Sequence, residues 1–188
     1  RAAQMGADPG TVDELWDLID GANGEEDRLL AHEVLASDSS WSARSIATLV
    51  LGNFMDDHTS WHGLLGSLVD PDARVSSVAR IMLDGLAAPE MDPVEWTGAR
   101  AHLSALLDGT NPWVFRDILQ VLVATDVDPE FARQLAGESP DLLLAHVGAE
   151  HERTREPALA FLRAVSGEDF GTDVDAWTAW ISGQPDGG

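Results

Sequence analysis

The chain contains no cysteine, no tyrosine and no lysine, so all 11 of its basic residues are arginine. Without cysteine there can be no disulfide framework, no thiolate metal ligand and no cysteine nucleophile, although the redox compartment stays open. Apolar runs are short: the longest, Ile46–Leu51 and Ile118–Ala124, fall far below the roughly 18–20 residues that cross a membrane. There is no Gly-rich phosphate loop, no Gly-x-Ser-x-Gly elbow and no zinc-protease helix, and with them goes any evident nucleophile. Sustained alternation of apolar and polar residues is missing too, as is any Asn-Gly turn between β-branched runs, so strands are not expected.

Cations are scarce. Asp and Glu total 33 against the 11 arginines, for a formal net charge of −22 and an isoelectric point near 4.2. Nucleic-acid affinity depends on cationic neutralisation of phosphates, so duplex and RNA ligands are excluded as expected partners, and anionic membranes likewise. The acidity reads equally as adaptation to high salt, as a solubility device, or as the complement of a basic protein surface. Absent lysine with abundant Asp, Ala and Gly points to a GC-rich genome. The first residue is Arg1, not Met, so a trimmed upstream segment is expected, with a signal or an anchor among its readings; the location stays open and the chain given is expected to be soluble.

What is present is helical punctuation. Six of the nine prolines follow a good N-cap residue: Asp8-Pro9, Asp70-Pro71, Asp92-Pro93, Asn111-Pro112, Asp128-Pro129 and Ser139-Pro140. Asp, Asn or Ser accepts orphan N–H groups at a helix start, and proline suits the first helical position, which needs no donor. With apolar spacing of 3–4 throughout, helices are predicted near 11–20, 25–37, 41–53, 60–69, 71–86, 93–107, 112–125, 129–136, 140–147, 154–166 and 173–182.

Four of these carry one repeated pattern: a small or apolar residue, a pair three positions on, and an apolar pair three positions further. They read Ala43, Ile46-Ala47, Val50-Leu51; Val75, Val78-Ala79, Met82-Leu83; Phe115, Ile118-Leu119, Leu122-Val123; and Thr154, Pro157-Ala158, Phe161-Leu162, at offsets of 32, 40 and 39 residues. That period is typical of helical solenoids, in which each unit buries its apolar face only against its neighbours. A preceding helix accompanies each, bearing Leu29-Leu30 with Val34-Leu35, Leu64-Leu65 with Leu68-Val69, Leu103 with Leu106-Leu107, and Leu143-Leu144 with Val147.

The chain therefore resembles the HEAT-repeat family, particularly the short bacterial HEAT-like repeats, on the segment Leu64–Leu86 with its Asp70-Pro71-Asp72 turn and on Arg44, Arg116 and Arg155 directly after the first pattern position. The resemblance implies an all-α, right-handed α-solenoid of about four hairpins. Its parts would be an extension over 1–10, a single domain over 11–182 with repeats near 25–54, 59–87, 93–125 and 139–166, a Trp-containing capping helix over 172–182, and a flexible tail over 183–188. In the family, a turn Asp and a second-helix Arg form a ladder between repeats. Asp38 and Asp70 hold the Asp place here, but Thr110 and Ala149 replace it later and Ser76 takes one Arg place, so the ladder is expected to be broken. The family's second helices line a concave face, which makes Arg44, Thr48, Ser76, Arg80, Arg116 and Gln120 the candidate protein contacts. The implied function is a non-enzymatic scaffold or accessory subunit that binds another protein and carries no cofactor.

The competing class is a metal protein or metal-dependent enzyme. His58 and His62 are four apart, with Asp56 and Asp57 just before, but the stretch reads as a loop ahead of a helix beginning near Ser60, which spoils the spacing for a shared metal. His32-Glu33 and His151-Glu152 are similar to the His-Glu segments of deoxyhypusine hydroxylase, a HEAT-type enzyme that holds two irons on several such pairs; this chain has two, 119 positions apart. The plain alternative is that His32 faces solvent or a neighbouring turn and Glu152 aids a helix start.

Seven tryptophans remain. Trp41, Trp61, Trp96 and Trp113 lie near predicted helix starts and are expected to plug seams between repeats, with interface anchoring as the other reading. Trp177, Trp180 and Ile181 share one helical face, expected to seal a stripe formed by Ala158, Phe161, Leu162 and Val165. Leu83, Leu119 and Leu162 are the expected core.

Overall fold

A computed structural model of the chain describes residues 9–86 and 91–183. Residues 1–8 and 184–188, and so most of the expected N-terminal extension and C-terminal tail, lie outside these, as does Asp8. Among the described residues the structure consists of α-helices and short 3-10 turns, with no strand. The helices are α1 (Pro9–Gly21), α2 (Glu25–Ser37), α3 (Trp41–Leu51), α4 (His58–Leu68), α5 (Ala73–Leu86), α6 (Arg100–Leu107), α7 (Phe115–Ala124), α8 (Pro129–Glu138), α9 (Pro140–Val147), α10 (Glu152–Ser166) and α11 (Val174–Ile181).

Short acidic side chains set several of the starts. Asp57 accepts from the Thr59 N–H at 2.8 Å, Asp128 from Phe131 at 2.8 Å and Asp173 from Ala176 at 3.0 Å, each satisfying a donor that the helix itself leaves over. Several of the expected starts shift. Asp70-Pro71 does not open α5, because Asp72 takes the Arg74 N–H at 3.0 Å and the helix begins one residue before Arg74. Asn111-Pro112 opens a 3-10 turn, Pro112–Val114, that leads into α7. The helix expected from Ser60 already starts at His58 under the Asp57 cap. Asp92-Pro93 starts nothing: Met91 and Val94 donate to the carbonyls of Ala124 and Thr125 at 3.2 Å each, tying the segment alongside the end of α7. Glu95 then accepts from Thr97 at 2.7 Å, where the 3-10 turn before α6 begins.

The chain divides into two compact units, Arg1–Met82 and Leu83–Gly188. In the first, α1 and α2 each pack on α3, and α4 packs on α2 and α3. The core joins Ile19, Ala31, Ala47, Val50 and Leu51, with Val34, Leu35, Ile46 and Phe54 partly buried against it. Leu29 and Leu30, expected in this core, are 55% and 58% exposed. At 100° per residue α2 cannot turn both them and its Ala31–Leu35 face inward, and the smaller Ala31 lets α2 approach α3 closely. α4 approaches closely as well. A methyl group on Gly63 would collide with Leu51 Cδ1 and lie 3.2 Å from the His32 ring.

In the second unit α7 packs on α10, α8 and α9 both pack on α10, and α6 packs on α7, α8 and α9. Leu103, Phe115, Leu119, Leu143, Phe161, Leu162 and Trp177 are almost completely buried, and Leu83 with Leu119 and Leu162 is core as expected. Helix α10 ends at Gly167, whose φ of 72° lies in the left-handed region that glycine adopts without strain. The expectation for α11 is corrected. It packs mainly on α8 and α9, while α10, whose Ala158, Phe161, Leu162 and Val165 are buried, packs mainly on α7, α8 and α9. The Trp177 indole N–H donates to the Gly171 carbonyl at 2.9 Å, which closes the loop that precedes α11.

Candidate functional site

Helix α7 buries Phe115, Ile118, Leu119, Val121 and Leu122, which leaves an outer face on the opposite side of the helix. Arg116 and Gln120, four residues apart, fall on that outer face and are exposed. Across from them α10 presents Pro157, Ala160 and Phe161. Together with Leu83, Asp84 and Met91 these side chains line an open groove of about 920 Å³. Its floor is apolar and includes Val123, which is 39% exposed. Its margin carries both signs of charge, because the Arg116 guanidinium lies 3.0 Å from the Asp117 carboxylate. Pro157 has no N–H to give the Arg153 carbonyl one turn earlier, and its ring lines the groove instead.

Thus two of the six candidate contacts, Arg116 and Gln120, meet in one groove. Ser76 and Arg80 lie one turn apart on α5; Arg80 is exposed, while Ser76 is half-buried and its hydroxyl donates to the Ala73 carbonyl at 3.3 Å. The other two are corrected. Arg44 points into the first unit as a fork, with Nε and Nη2 at 2.7 and 2.9 Å from the two Asp70 oxygens and Nη1 at 2.9 Å from the Asp38 carbonyl. Planar guanidinium geometry suits such two-point recognition of a carboxylate. Burial pushes the Asp70 pKa up, but the bonds from Arg44 and from the Asp72 N–H outweigh it, and the net shift is downward. Thr48 is fully buried, its hydroxyl donating to the Arg44 carbonyl and paired with Ser67 Oγ, both at 2.8 Å. Helical periodicity marks the face of a residue but not whether a neighbouring helix covers it, and here α4 supplies Ser67.

Of the arginine pairs that the resemblance implies, Arg44 makes one, to Asp70. Arg116, with Thr110 in the Asp place, turns to its own neighbour Asp117, and Arg155 donates to the Ala149 and Glu150 carbonyls at 3.3 and 3.1 Å. Arg44 and Arg155 each hold the carbonyl six residues earlier, so this arginine braces the turn before its helix whether or not an Asp is there.

The histidines are distributed differently from expectation. Because α4 starts at His58, His58 and His62 do share a continuous helix. Asp57, however, is engaged by Thr59 through both N–H and hydroxyl and by Arg28 at 3.2 Å. His32 faces the start of α4, its Nε2 3.3 Å from Thr59 Oγ1, and burial first, then the charge of Arg28, lowers its pKa. Glu33 is exposed on α2, and His151 and Glu152 are exposed at the start of α10, with Glu152 in the first turn. Among the described residues no group of three or more His, Asp or Glu side chains could hold a metal ion.

The tryptophans separate sharply. Trp61 and Trp96 are buried, with indole N–H groups donating to the Met55 carbonyl and to Thr125 Oγ1 at 3.0 Å each. Trp41 is half-exposed beneath the Arg74 guanidinium, 4.0 Å from its ring centre. Trp113, expected to plug a seam, is 80% exposed. The 3-10 turn and the start of α7 bury Val114 and Phe115 and leave Trp113 outside, one residue away from burial. No helix of the described residues is long and apolar enough to cross a membrane. No family model, curated protein or solved structure matches the chain.

Proposed function

We propose that the chain is a non-enzymatic, HEAT-like α-solenoid that binds another protein, as a scaffold or accessory subunit of an assembly. The order of the helices, the repeated apolar pattern and the Arg44–Asp70 rung support the architecture. The α7/α10 groove carries the functional part: an apolar floor with Arg116, Asp117, Gln120 and Asp84 at its margin suits a partner segment that buries apolar side chains and pairs polar ones at the rim. The second helices of HEAT-like hairpins supply such faces, and α7 and α10 are the second helices here.

A photo-cross-linking residue at Gln120 tests the reading, with the exposed Ala101 on α6 as control. In extract of the native source the expected result is a discrete protein adduct from position 120, missing from position 101 and lost when Val123→Asp is added. No adduct at position 120 would remove the groove as a contact, and stoichiometric iron or zinc in the purified protein would remove the non-enzymatic reading.

A further inference from the structure

The first unit carries a second apolar groove with different electrostatics. Helices α1 and α2 both pack on α3, and a groove of about 520 Å³ lies between them. α2 lines it with Leu30, Ala31 and Val34, one turn of its face, and α3 with Ala43, Ile46 and Val50 at the i, i+3, i+7 spacing of a helical face. Leu18 stands at its edge on α1, 64% exposed. Of the eight large apolar side chains exposed among the described residues, four (Trp16, Leu18, Leu29 and Leu30) are on α1 and α2. These two helices hold eight carboxylates and a single arginine, Arg28, which is committed to Glu25 at 2.6 Å. Asp27 lines the groove itself, its carboxylate accepting from the Gly24 N–H at 3.0 Å, and Asp17, Asp20, Glu25 and Glu26 on the same two helices are exposed.

We infer that this groove is a docking site for a basic amphipathic helix of a partner protein. Small floor residues, Ala31, Ala43 and Ala47, let a helix backbone come close, and stripes at helical spacing receive anchors at i, i+3 or i+4, and i+7. The occupant's flanks must be cationic, since desolvating a carboxylate against the acidic rim is costly whereas arginine or lysine gains there. A second copy of this chain, with its own charge of −22, would set like charges together at the rim. The site does not depend on the α7/α10 groove.

The test uses the full chain and a labelled peptide of about 18 residues, five helical turns, made of leucine and arginine with leucines on one face, beside a scrambled peptide of the same composition. Fluorescence anisotropy is expected to show the amphipathic peptide binding about tenfold tighter than the scrambled one, and Leu18→Glu or Leu30→Glu weakening it by about tenfold or more. Both positions are exposed, so the fold should stand, which denaturant melts check. The added glutamate strengthens plain charge attraction, so a loss isolates the apolar contact. Equal affinity for the two peptides, or no loss in the glutamate variants, would reduce the binding to unspecific attraction and overturn the inference. So would a chain dimer that Leu30→Glu dissociates, which makes a second copy the occupant, or peptide binding that appears only after removal of residues 1–8, which assigns the groove to that segment. Each of these outcomes leaves the adduct at position 120 untouched, so failure here is distinguishable from failure of the proposed function.

Discussion

In Leu83–Gly188 the largest fully buried side chains are aromatic, Trp177, Phe115 and Phe161, set among leucines from α6, α7, α9 and α10. In Arg1–Met82 the fully buried large side chains are leucines, and four of the six buried polar residues, Ser45, Thr48, Ser60 and Ser67, are found there. Two polar interlocks accompany them, the Arg44–Asp70 fork and the group formed by Arg28, Asp57, Thr59 and His32 at the start of α4. The second unit buries more aromatic volume; the first buries Trp61 among its leucines and adds directional bonds at Arg44–Asp70 and Thr48–Ser67, while its Ser45 and Ser60 hydroxyls are buried without a partner. Directional bonds fix helix register without using large apolar side chains, and the exposed Leu18, Leu29 and Leu30 show what this leaves on the surface. The contrast also predicts where pH should act.

The largest expected effects lie in the aromatic core. Trp177→Ala removes a ring with no exposure, its contact with Phe170 and the donor to the Gly171 carbonyl, and should cost about 3–5 kcal/mol in denaturant melts. Leu162→Ala, also at zero exposure, should cost about 2–5 kcal/mol. Losses below about half a kcal/mol would mean the second unit is not held by packing and would erase the contrast.

The first unit should show smaller, polar effects. Thr48→Val keeps the shape but leaves Ser67 Oγ with only its bond to the Gly63 carbonyl at 3.0 Å, a loss of about 0.5–1.5 kcal/mol. A cost as large as that of Leu162→Ala would show that Thr48 acts through volume, not through its hydroxyl.

Much of this architecture was legible in the chain. Capping residues and 3.6-residue periodicity located eleven helices because both are local, and the repeated apolar pattern marked Leu83, Leu119 and Leu162 as buried. Burial of Thr48 and of Arg44 was not legible, since each depends on a partner 19 or 26 residues away and on how closely α4 approaches. Nor was the open segment before α6 legible, because Asp92-Pro93 is a sound local start signal overruled by backbone bonds to the end of α7. At the groove, sequence pointed to Arg116 and Gln120, while Met91, Asp84 and Val123 depended on which elements converge there.

The pH dependence of stability sharpens the comparison further. The Asp70 pKa in the folded chain lies below its ordinary 3.8, so its contribution is present above that value and is lost as pH falls through the folded one. His32 is lowered from 6.5; the fold favours its neutral form, whose contribution is complete above that value and is lost as pH falls below it. Arg44→Met should therefore flatten the stability curve below about pH 4 and His32→Gln should flatten it on the acid side of pH 6.5. Both are read from urea midpoints across pH. Unchanged slopes in the two variants would detach the acid response from the first unit's interlocks.

The smallest effect expected on stability is at the α7/α10 groove. Arg116 is exposed and, among the described residues, paired with its neighbour Asp117, and Gln120 is exposed one turn later on the same face. Surface groups of this kind contribute within about half a kcal/mol of zero, so Arg116→Ala and Gln120→Ala should leave the denaturant midpoint almost unchanged. A residue kept for binding should instead show its effect only with the partner present. With the cross-linking residue placed at Ala160 on the opposite wall, either alanine variant should reduce the adduct severalfold at equal stability. If both variants destabilise the chain as much as Thr48→Val does, Arg116 and Gln120 belong to the packing of the second unit, and the groove loses the residues that distinguish it from a seam between helices.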